Sequence, residues 1–129
     1  NVQIINNSWE VFNRSSVALV VSGTATLECA ISETPFITIY KTSYISWIVA
    51  KFFLSIRFIS IVNILAKKQI VKELLQKEAS VSNIETSIMQ LLNNSKKIKN
   101  DLILTKKTLD GNNAYKNTAQ FIVNFKLDV

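Results

Sequence analysis

A chain of 129 residues with 48% apolar side chains holds one domain's worth of core, which argues against disorder and against several domains. Histidine is absent, which removes the commonest general base, the Ser-His nucleophile pair and every histidine-bearing zinc site; the lone Cys29 excludes an internal disulfide and a thiolate metal cage and suits a reducing compartment. The net charge of +6 is uneven, with eleven lysines against six acids in residues 61–129, and favours anionic partners, although nucleic acid has only this charge in its favour and no aromatic stacking platform.

Glycine and proline are scarce: two and one, where about nine and six are usual at this length. Gly23, Gly111 and Pro35 should each mark a backbone need. Val2–Ile5 is a short β-branched run that reads as a first strand. Asn7 with Glu10 three residues on has capping-box spacing and opens a helix through about Arg14. Val17–Val21 is a continuous apolar run, as expected of a parallel strand buried on both faces. Ser22-Gly23-Thr24 then turns into a helix from Ala25 to about Ser32. Thr34-Pro35 stops that helix, because a residue before proline is pushed out of the α region, and Phe36–Tyr40 forms the next strand. Short helices alternating with buried strands predict an α/β fold: a parallel, Rossmann-like sheet flanked by helices, followed by a helical C-terminal segment.

Residues 44–66 are the most hydrophobic stretch. Between 44 and 62, eleven Ile, Leu, Phe and Val residues contribute about −3 to −7 kcal/mol towards insertion, while Lys51 and Arg57 cost about +5 to +7. The two sides nearly cancel, so the better division is a helix over 43–54 and a strand over 57–61. Tyr44, Trp47 and Lys51 share one helical face. That face suits either lipid headgroups or a covered sheet with a snorkelling lysine. From Ala66 the pattern turns helical: Ile70, Val71, Leu74 and Leu75 make an apolar stripe, and Ser82 with Glu85 makes a second capping box. A lysine-rich helix spans 95–109. Asp110-Gly111-Asn112 turns with glycine in the left-handed region, and 114–125 is a last helix with Ala119, Ile122 and Val123 on its apolar side. The division is 1–78, the α/β part, and 79–129, C-terminal helices.

The strongest local signal is the strand, glycine turn and helix at 17–28. Such a turn puts backbone N–H groups and a positive helix end at the carboxyl edge of a sheet. Gly23 lets the backbone approach a phosphate, and the Ser22, Thr24 and Thr26 hydroxyls add donors. Glu28, one turn beyond Thr24, can accept from a ribose diol. An ordinary strand-to-helix turn with Glu28 facing the helix dipole fits equally well. The three-glycine dinucleotide fingerprint and the phosphate-loop Lys-Ser/Thr are both missing.

Several motifs in order, Ser22-Gly23-Thr24-Ala25-Thr26-Leu27-Glu28, Thr34-Pro35, Tyr40-Lys41, Asn63-Ile64-Leu65-Ala66 and Val71-Lys72-Glu73-Leu74-Leu75-Gln76, resemble the C-terminal part of the lipid-A-disaccharide synthases, with the likeness running from about Val2 to Phe125. That family comprises glycosyltransferases of two facing Rossmann-like domains, a GT-B layout. They join UDP-diacylglucosamine to diacylglucosamine 1-phosphate, form the β-1,6 disaccharide of lipid A and release UDP.

The resemblance implies that 1–78 is a partial nucleotide-binding domain, in which Ser22–Thr26 holds the diphosphate and Glu28 the ribose. Asn63, in a second loop, would face the donor nucleotide, and Tyr40 and Lys41 would line the cleft. It further implies a metal-free reaction with no cofactor beyond the UDP-sugar substrate. No catalytic residue is expected in this chain: the catalytic base and acceptor site would come from an N-terminal domain or a second polypeptide. The work would be done as a peripheral protein on the cytoplasmic face of the inner membrane of a Gram-negative bacterium, with the last helix available for self-association. The runner-up is a basic membrane-surface interaction protein without catalytic activity. Two departures stand out: Val62 where the family has proline, and Lys67-Lys68-Gln69 where it has Gly-Arg-Glu.

Overall fold

A computed structural model describes residues 2–43, 46–48, 57–110 and 114–125. In chain order the elements are α1 (Ser8–Arg14), β1 (Ala18–Val21), α2 (Ala25–Ile31), β2 (Phe36–Tyr40), α3 (Ile61–Ala66), β3 (Glu73–Leu75), a 3₁₀ turn (Gln76–Glu78), α4 (Val81–Asn93), α5 (Ser95–Asp110) and α6 (Ala114–Phe125). The strands form one parallel sheet in the order β1-β2-β3. Leu19 pairs with Ile37, and Ile39 with Leu74. The fold is therefore α/β, a parallel sheet flanked by helices, as the alternation of short helices and apolar runs predicts.

The two faces of β2 seed two cores, because successive strand side chains point to opposite sides. Phe36 packs with Cys29, Ala30, Val62, Val71 and Leu102. Ile37 packs with Leu74, Ala79 and Leu91 on the other side. Buried on both faces, β2 is the strand that the unbroken-apolar-run argument describes best. The same expectation fails for β1. Leu19 and Val21 are 43% and 63% exposed, since β1 is an edge strand in these residues and its Leu19–Val21 face lies beyond the second core.

Several local expectations are corrected. Val2–Ile5 forms no strand; Val2 and Ile4 are exposed, and a β-branched run without a neighbouring edge gains no ladder bonds. Asn7 does cap α1, accepting from the N–H groups of Trp9 and Glu10, but Glu10 turns forward to Arg14 at 2.9 Å instead of closing a capping box. Residues 57–60 are bent and 61–66 helical, not a strand, because the N–H groups of Ile59 and Ser60 donate to the Glu73 carboxylate (2.9 Å each) rather than to a ladder. Glu73–Leu75, read as part of a helical stripe, is the third strand. The cap of α4 is Ser80, which accepts from the Asn83 N–H at 3.3 Å; Ser82 lies inside the helix.

Helices α2, α5 and α6 fall where the pattern puts them. Residues 116–125 of α6 are all exposed, with Phe121 stacked on Phe125 at 6.0 Å between ring centroids. The Gly111 turn, Tyr44, Lys51 and most of the 43–54 helix lie outside the described residues. Among the described residues no helix is long and apolar enough to cross a membrane.

Candidate functional site at the carboxyl edge of the sheet

All three strands are parallel, so their carboxyl ends meet along one edge, where open α/β sheets bind ligands. At the end of β1, the Ser22 N–H donates to Ile39 O at 3.0 Å and ties the turn to β2. Gly23 then adopts φ +158°, a region close to glycine-only. A Cβ built there would meet nothing within 4 Å. The missing side chain thus opens onto free space at the sheet edge, the geometry that lets a ligand reach the backbone.

Thr24 precedes α2 in a helical conformation and makes no side-chain cap. The first backbone N–H groups engaged beyond Ser22 are those of Thr26, Leu27 and Glu28; those of Gly23, Thr24 and Ala25 have no partner among the described residues. Thr26 is different. It is fully buried, and its hydroxyl donates back to Gly23 O at 2.7 Å. Thr26 therefore braces the turn from within and has no donor to spare. Glu28 is half-buried one turn on, its carboxylate without a hydrogen-bond or ion-pair partner among the described residues. Beside it Cys29 is buried, and burial, reinforced by the Glu28 charge, pushes its thiol up to about 12. A thiol so protonated is core filling, not a nucleophile.

At the end of β2, Tyr40 is half-buried and Lys41 exposed. Lys41, Thr42 and Trp47 line a groove of about 570 Å³ with Leu75, Gln76, Lys77 and Glu78 from the end of β3. Trp47, expected on a lipid-facing or sheet-covering surface, is half-buried in this groove. Gln76 and Lys77 are site residues that sequence reasoning missed, because reading 70–75 as a helix hid the strand end they follow.

Asn63 is placed quite differently from its expected role. It lies in α3 and is fully buried. Its amide nitrogen donates to Val71 O (2.8 Å) and Glu73 Oε1 (2.7 Å), and its oxygen accepts from the N–H groups of Ile70 (2.8 Å) and Val71 (3.0 Å). That fills the capacity of an asparagine amide. Nothing remains for a nucleotide, and the side chain acts as a staple between α3 and β3.

A parallel sheet whose first strand passes through a glycine turn into a helix, with an open edge groove beside it, defines a Rossmann-like α/β unit. The lipid-A-disaccharide synthetase family matches residues 1–125, and the chain belongs to that family. It is 38% identical over 123 residues to a lipid-A-disaccharide synthase of Persephonella marina, covering 93% of this chain and 32% of that protein. Its identity to the lipid-A-disaccharide synthase of Solibacter usitatus is 38% over 89 residues, 69% of this chain and 23% of that one. A third such synthase, from Anaeromyxobacter dehalogenans, is 42% identical over 83 residues, 64% of this chain and 22% of the relative. The chain thus spans between about a fifth and a third of the length of these relatives.

Proposed function

We propose that this chain is the donor-nucleotide-binding part of a glycosyltransferase that joins UDP-diacylglucosamine to diacylglucosamine 1-phosphate to form lipid A disaccharide. The observation that carries the reading is the Gly23 turn. Three unengaged backbone N–H groups and a glycine facing open space lie at the carboxyl edge of a parallel sheet, in a chain of this family. Ser22–Thr24 would cradle the diphosphate, Glu28 would accept from the ribose, and Lys41 with Tyr40 would line the donor cleft.

In the transfer, the acceptor hydroxyl oxygen bonds to the anomeric carbon as the bond to the diphosphate breaks. UDP leaves with the electron pair, and the hydroxyl proton passes to a base. This chain's share is to stabilise the departing diphosphate through backbone N–H groups and cationic side chains. The base and the acceptor site belong to residues outside it, supplied by an N-terminal domain or a second polypeptide. Because both sugars carry acyl chains, the reading places the protein at the cytoplasmic face of a Gram-negative inner membrane. The exposed Phe121, Ile122, Val123 and Phe125 of α6 supply a surface for self-association.

Calorimetric titration with UDP tests the reading. The parent chain should bind, and Glu28→Ala and Gly23→Val should each lower affinity by at least roughly tenfold, the loss of one charge-assisted hydrogen bond. Absence of UDP binding by the parent would overturn it. Salt-sensitive binding to anionic liposomes that ignores UDP would favour the membrane-surface alternative.

A further inference from the structure

Gln76 carries two unfavourable features at once. Its φ is +51°, a left-handed conformation that side chains other than glycine and asparagine seldom adopt. Its Nε2 is buried with no hydrogen-bond partner among the described residues, although buried amide donors are nearly always paired. The orientation of the amide is settled by its neighbour. The Thr42 N–H donates to Gln76 Oε1 at 3.2 Å; a backbone N–H can only donate, so the oxygen faces Thr42 and the nitrogen points away. Gln76 follows β3 beside the end of β2 and lines the groove with Lys41, Trp47 and Lys77. Strain and unmet hydrogen bonding concentrated on one residue mark places where a ligand completes the structure.

We infer that Gln76 is a binding residue of the donor groove: Oε1 anchors the Thr42 backbone so that Lys41 stays over the groove, and Nε2–H donates to a diphosphate oxygen of the bound sugar nucleotide. This rests on the donor-site reading above. The ligand group is taken to be anionic because the groove has two lysines, Lys41 and Lys77, against one acid, Glu78. Gln76 thereby adds a grip on the diphosphate from the β3 end of the edge, while the Gly23 turn holds it from the β1 end.

Gln76→Glu retains an acceptor for Thr42 and removes the donor. Titrated with UDP and with uridine, this variant should lose roughly 10- to 100-fold in UDP affinity and keep its uridine affinity within about twofold. Gln76→Gly guards against misfolding, since glycine takes the left-handed conformation without penalty. It should melt no lower than the parent and still lose UDP affinity. If either folded variant binds UDP as the parent does, the assignment of Gln76 is wrong while the donor site stands. If the parent itself binds no UDP, the donor-site reading falls and the assignment goes with it.

Discussion

Replacing Asn63 with alanine tests whether this residue holds the fold or the ligand. The substitution deletes an amide that makes four hydrogen bonds of 2.7–3.0 Å. The Glu73 carboxylate keeps the Ile59 and Ser60 N–H groups, and a carbonyl such as Val71 O tolerates the loss better than a donor does. The backbone N–H groups of Ile70 and Val71 have no replacement. An orphaned buried donor costs about 1–3 kcal/mol; Val71 is fully buried and Ile70 only partly, so the pair should cost about 2–4 kcal/mol. At a urea slope of about 1.5 kcal/mol per molar, the unfolding midpoint falls by about 1.3–2.7 M. Urea denaturation followed by circular dichroism reads this directly, with Asn100→Ala on the exposed face of α5 as a control expected to stay within about 0.5 kcal/mol. A midpoint shift below about 0.5 M, accompanied by lost UDP binding, would refute the staple and restore Asn63 as a nucleotide contact.

Lys67 caps α3 at φ +54°, where the left-handed conformation costs a side chain about 1 kcal/mol, so Lys67→Gly should raise the melting temperature by about 2–5 °C in a thermal scan. Cys29, protonated by burial up to about 12, should resist thiol reagents at pH 8 until the chain is unfolded. The unfolded thiol ionises near 9.0 and the folded one near 12, so this group's contribution to stability is complete below pH 9 and falls between pH 9 and 12, which denaturation midpoints across that range will show for the parent and not for Cys29→Ala. The Lys68–Asp101 pair at 2.7 Å has a lysine 61% exposed, and Asp101→Ala should cost less than about 1 kcal/mol in the same urea assay.

What the sequence made legible were the elements whose signal is local. Asn7, Pro35 and the strand-turn-helix around Gly23 act within a few residues of themselves, and each lies where the pattern puts it. The errors cluster between 57 and 76, where pairing is decided at a distance. Arg57–Ile61 has β-branched content enough for a strand, yet its N–H groups go to Glu73, more than ten residues on. In 70–75 two apolar pairs separated by Lys72-Glu73 fit a helical stripe and lack strand alternation; the free edge of β2 makes Glu73–Leu75 a strand all the same. No periodicity within a short window contains that edge.

The candidate site divides in the same way, and the division bears on how motifs transfer between proteins. Gly23 is readable because its need is its own backbone angle. Asn63 has a ligand role only through the resemblance, which puts it in a loop, whereas its four bonds are made to residues seven to ten positions away. Lys67 shows the converse. Lysine, not glycine, takes the left-handed position that ends α3, while the Asn63 amide holds the Ile70 and Val71 N–H groups on the far side of the turn. Lys67 and Lys68 place two positive charges at this turn. Lys68 pairs with Asp101 of α5 and neither lysine lines the groove at Lys41 and Gln76, so nucleotide affinity should be insensitive to Lys67→Gly even as stability rises.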